Sequence, residues 1–152
     1  MSANRVFISI MLFLVASSHA TGQSTPTIYV TGNDKNELSA QKRRELADSV
    51  GDVREQLKKR DGVETANARE GADVLVTILD RRIEVNESGR NDWGGALSQT
   101  HYQSRYIVVF RFESRDAVEE SEIALAGAFV TWKRVAGVLA KDAEEWARHH
   151  RR

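Results

Sequence analysis

Hydrophobic and polar positions along this chain follow two different periods, and the switches between them mark its elements. Thr27-Ile28-Tyr29-Val30-Thr31 alternates and is rich in β-branched residues, which predicts a first strand, with Pro26 at its start where a missing N–H is tolerated. The period then lengthens. Leu46, Val50, Val53 and Leu57 are spaced four, three and four apart, one stripe of a helix lying within residues 35–60. Lys58-Lys59-Arg60 suits the negative end of that helix dipole, and Asp61-Gly62 predicts the stop, with Gly62 accepting a positive φ.

Val63 to Ala66 reads as a short strand. Asp73 to Val85 opens with the unbroken apolar run Val74–Leu79, the signature of a strand covered on both faces near the middle of a sheet. It then turns half-polar, Ile83 and Val85 alternating with Arg82 and Glu84. From His101 to Glu113 the alternation is clearest. Tyr102, Ser104, Tyr106, Val108, Phe110 and Phe112 form a core face. Gln103, Arg105, Ile107, Val109, Arg111 and Glu113 form a second face, polar at both ends and apolar only at its centre. Glu119 to Ala128 is a further strand with Ile123 and Leu125 inward. A closing helix from Thr131, its N-cap, to Arg148 carries Trp132, Ala136, Leu139, Ala143 and Trp146 on one stripe.

The order β-α-β-β-β-β-α, with no repeat and no linker, predicts one α+β domain over residues 27–148. Its expected architecture is a two-layer sandwich, a mixed four- to five-stranded sheet with both helices on one face. Residues 149–152 form a basic tail, and residues 21–26 a short polar lead-in.

Residues 1–20 read as a secretory signal peptide. Arg5 is the only charge, Val6–Ala16 is an apolar run, and Ser18 and Ala20 stand like the −3 and −1 positions of a cleavage site. A second cut after Gly22 fits as well. The run is far shorter than the roughly 18–20 residues that span a bilayer. The chain has no cysteine, so neither a disulfide nor a lipid on an N-terminal Cys is available to it. These features predict an exported, periplasmic or secreted domain with no stable membrane anchor after cleavage.

Charge excludes more than it suggests. Cleavage leaves 21 basic and 22 acidic residues, a net of −1, and the basic clusters at 42–44, 58–60 and 81–82 all have acids close by. No field draws the protein to nucleic acid. No HExxH, GxSxG, P-loop or GxGxxG is present, so no cofactor, metal or catalytic residue is assigned.

The expected function is therefore a non-enzymatic binding or assembly module contacting a protein or envelope partner. Two surfaces are singled out. The polar loop 86–100 carries Arg90 and Trp93, residue types that favour binding hot spots. The outer sheet face presents Gln103, Arg105 and Arg111 around an apolar centre of Ile107 and Val109. The alternative is a small hydrolase or ligand-binding enzyme using His101 with carboxylates such as Asp80, Glu84, Asp92, Glu113, Glu119, Glu120 and Glu122. Trp132 and Trp146, at helical spacing, are expected in the core.

The whole pattern resembles a loose group of short exported bacterial α+β proteins. Its marks here are the early strand, the helix ending in a Lys-rich turn, the central strand introduced by Ala72-Asp73-Val74, and a last helix opened by Trp132 and closed by Trp146. The architecture is also similar to the TolB N-terminal domain and to CsgG-like proteins. That resemblance implies an assembly or interaction role and carries no functional residue to this chain.

Overall fold

The computed structural model describes residues 24–35, 37–91 and 99–150; the leader and Trp93 lie outside them. Five strands and two helices follow in the order β1 (Thr27–Gly32), α1 (Ala40–Leu57), β2 (Glu64–Thr65), β3 (Val74–Asn91), β4 (Gln99–Glu113), β5 (Val118–Ala126) and α2 (Trp132–His149). The strands form one mixed sheet in the order β2-β1-β3-β4-β5. β1 runs parallel to β2 and β3, while β3, β4 and β5 are antiparallel. α1 packs on β1 and β3, α2 on β4 and β5, and the helices pack on each other. The α+β two-layer sandwich is the observed fold.

The core lies between the helices and one sheet face. Ile28, Val30, Val74, Val76, Ile78, Val108, Phe110 and Phe112 meet Leu46, Val53, Leu57, Val135, Leu139 and Ala143 there. Trp146 is buried against Phe112 with ring centroids 5.4 Å apart, and Trp132 is partly buried. Burying aliphatic side chains such as these stabilises the fold by about 1.5–3 kcal/mol each before entropy is counted.

Four sequence expectations change. β3 is central as expected, yet helices cover only one of its faces. Its apolar run is unbroken because Leu75, on the outer face, is itself buried. Residues 86–91 and 99–100, expected as part of a loop over 86–100, are strand. The core face of β4 ends early: Tyr102 is 70% exposed.

The fourth change concerns Gly62. Positive φ occurs at Gly71 and Gly127 instead. A Cβ at Gly62 would collide with Glu144 Oε1, so this glycine serves close approach to α2. Glu144, almost fully buried, pairs there with Arg60 at 2.8 Å and also bonds Arg148. α1 starts at Ser39, whose hydroxyl accepts from Lys42 N at 3.1 Å, and α2 starts at Thr131, as predicted.

Candidate functional site

The last partner of β1 on β3 is Ile78, and the last partner of β5 on β4 is Arg105. Beyond these points β3 and β4 have only each other among the described residues. Residues 84–91 and 99–104 thus form a two-stranded arm, roughly 25 Å long at about 3.3 Å per residue. A bulge decides how it faces. The register shifts between Ile78 and Asp80, so inward positions change from Val74, Val76 and Ile78 to Arg81, Ile83 and Val85.

On the helix side, Arg81 fastens the base of the arm. It donates to Glu45 O at 3.0 Å and Ser49 Oγ at 3.1 Å, and its guanidinium lies 4.1 Å from the Trp132 ring centroid. Trp132 meets Tyr106 edge-on at 5.0 Å. Past this clasp the same face is uncovered: Ile83 is 49% and Val85 61% exposed. Phe129, in the turn between β5 and α2, is 89% exposed.

The outer face is a charged lattice. Arg82 bonds Asp80 at 3.1 Å, Glu84 at 3.1 Å and Glu122 at 3.2 Å, and Arg111 bonds Glu120 at 2.9 Å. Lys42 approaches Asp80 to 2.6 Å from α1. Burial pushes the Asp80 carboxyl up, but hydrogen bonds from Lys42 and Arg82 pull it down further, leaving it below the usual carboxylate range.

This lattice corrects the expected apolar centre. Ile107 stands opposite Arg82 and Ala124 in the register and is 1% exposed; Val109, opposite Asp80 and Glu122, is half-buried. The physical reason is that long arginine and glutamate side chains fold across small neighbours and cover them. Gln103 and Arg105 are exposed at and beyond the base of the arm, and Arg111 is exposed but paired. Arg90 sits on β3 opposite Thr100. The six of these residues that the structure describes are therefore spread along one strand pair and do not converge on a point.

His101 pairs with Gly89 near the far end of the arm. An acid-lined cleft lies elsewhere, between β5 and α2. It measures about 320 Å³, with Phe110, Phe112 and Trp146 beneath and Glu119, Asp142, Glu145, His149 and His150 around it. His101 is about 30 Å from it along β4. Glu119 accepts from Trp146 Nε1 at 2.9 Å, and His150 stacks on Trp146 at 4.1 Å. Burial, then the nearby Glu145 charge, raises the Asp142 carboxyl above its ordinary value. Among the described residues no group of three or more His, Asp or Glu is placed to hold a metal ion. Nor is any described helix long and apolar enough to cross a membrane.

Sequence reasoning missed the exposed apolar side of the arm. A signal for it exists: the inward aliphatics fall on even numbers up to Ile78 and on odd numbers from Ile83, which requires an extra residue between them.

No protein-family model and no curated protein sequence matches the chain. Similarity appears among solved structures. Rare lipoprotein B from Shewanella oneidensis superposes with a TM-score of 0.50 at 12% identity, over 81% of this chain and 94% of that one. The minor lipoprotein from Acinetobacter baumannii gives 0.45 at 15% identity, over 82% and 94%. Lipoprotein B from Nitrosomonas europaea gives 0.44 at 14%, over 82% and 78%. The first of these shows that the two chains share a fold.

Proposed function

We propose that this protein is an exported, non-enzymatic binding or assembly module of the bacterial envelope, and that the β3–β4 arm meets its partner. One observation carries this reading: two strands continue past both helices and hold Ile83, Val85 and Tyr102 out on one face, 49–70% exposed. An isolated two-stranded ribbon is marginal in water and gains stability from a third surface. Aromatic and arginine side chains are the residue types that anchor such contacts. On this reading Arg90 and Trp93 serve the same contact, and Gln103 and Arg105 its outer side. Ile107, Val109 and Arg111 belong to the lattice that stiffens the base. The leader and the fold shared with an envelope lipoprotein support the compartment.

Site-specific photo-crosslinking in intact cells tests it. A crosslinker at Val85, Tyr102 or Gln103 is expected to trap discrete adducts, while one at Arg44 or Lys141, exposed on the helices, is not. Adducts from the helix positions alone would transfer the binding role to the other layer of the sandwich.

A further inference from the structure

We infer that the open β3 edge of the arm pairs antiparallel with the same edge of a second copy of this chain, about a two-fold axis at Glu84. The inference rests on the reading of the arm as the binding element and names its partner.

The edge is free where it needs to be. On the β1 side, Asn33 Nδ2 reaches the Leu79 carbonyl at 3.5 Å and Lys42 Nζ reaches the Arg81 carbonyl. These side chains cap the outward carbonyl of the bulge and the next one after it. Alternation along a strand turns the backbone groups of Ile83, Val85 and Glu87 the same way. No described residue pairs with them there. Nor does this edge carry the usual protection of a proline or an edge lysine.

The pattern on that edge is self-complementary. On the helix-side face the row Arg81, Ile83, Val85, Glu87 reads cation, aliphatic, aliphatic, anion. A two-fold axis at residue 84 sets Ile83 against Val85 of the second copy, twice over, and brings Glu87 of the second copy to the rim of the clasp in which Arg81 is already held by Glu45 O, Ser49 Oγ and Trp132. On the outer face Arg82 meets Asn86 of the second copy. The two Glu84 carboxylates meet at the axis, each already held by its own Arg82 at 3.1 Å. Moving the axis to residue 83 sets Val85 against Arg81; moving it to residue 85 sets Ile83 against Glu87. Each sets an aliphatic side chain against a charge. The register centred on Glu84 is the one that sets aliphatic against aliphatic on both sides of the axis.

The absence of cysteine makes a sharp test available. Residue 84 meets itself in a pair with Cα atoms about 4.5 Å apart, within the roughly 4.4–6.8 Å that a disulfide requires. The exported protein carrying Glu84→Cys should form a covalent dimer under mild oxidation. Asn86→Cys, on the same face but about 13 Å from its counterpart, should not. Sedimentation of the unmodified exported protein should show a reversible dimer, and Val85→Asp should weaken it about tenfold or more with an unchanged circular dichroism spectrum. A wild-type monomer at every concentration overturns the inference. So does a dimer that Val85→Asp leaves intact, or one that Asn86→Cys traps as well as Glu84→Cys. If self-association fails while arm crosslinks to an envelope component persist, the second copy is the wrong partner and the binding role of the arm stands. Loss of both removes both.

Discussion

The base and the arm of the β3–β4 ladder are one pair of strands with opposite fates. At the base, Val76 faces Phe112 and Ile78 faces Phe110, and all four are buried. Ile83 at the foot of the arm, and Val85 and Tyr102 along it, continue the helix-side face and stay exposed. The difference is one of length. α1 and α2 have 18 residues each, about 27 Å of helix, whereas the 18 residues of β3 extend close to 60 Å. Helices of this length cannot cover strands of this length. Alternation therefore tells which way a side chain points, and a second layer decides whether it is buried.

Truncation separates the two regions most directly. Phe110→Ala at the base should destabilise the domain by about 3–5 kcal/mol in urea unfolding, since it opens a cavity in the core. Val85→Ala on the arm should change stability by no more than about 0.5 kcal/mol. Similar losses at the two sites would mean that the arm is covered in the free protein.

The boundary between the regions can be sharpened at Arg81. Its two hydrogen bonds to α1 and its stacking on Trp132 are charge-assisted and half-buried, so Arg81→Ala should cost about 2 kcal/mol. It should also shift the near-ultraviolet signal of Trp132. An unchanged signal would show that the clasp does not hold the helix layer to the arm.

The smallest expected effect is on pH dependence. The Asp80 carboxyl lies below its ordinary value of 3.8 in the folded state, so its contribution is complete above that pH and is lost as pH falls through the folded value. Partial exposure limits it to under about 1 kcal/mol. Asp80→Asn should flatten the acid limb of the stability profile by that amount. Equal profiles for the two proteins would exclude Asp80 as a contributor.

Much of the fold was legible residue by residue. The α2 stripe from Trp132 to Trp146 and its Thr131 cap appear as read, because a long amphipathic helix with a side-chain cap has few alternatives. The start of α1 was legible only to within several residues. Asn33 and Asp34 carry cap chemistry as good as that of Ser39, and the choice falls to the helix that packs on β1 and β3. Residues 86–91 read as loop because the run Asn-Glu-Ser-Gly-Arg-Asn has no apolar alternation to display. The outer-face site was half legible. Its residues share a face as the alternation predicts, but the covering of Ile107 by Arg82 depends on a neighbour 25 residues away in sequence.

The α+β class, the helical stripes, the identity of the central strand and the lack of cysteine could all be read along the chain. All of these follow from local period and composition. Tertiary structure decided what local period cannot express: the bulge at Leu79, the lattice over Ile107, the tight seat of Gly62 against Glu144, and above all the arm. Each depends on which surfaces meet across the sheet and how far the helix layer reaches, and those are matters of register and length in three dimensions.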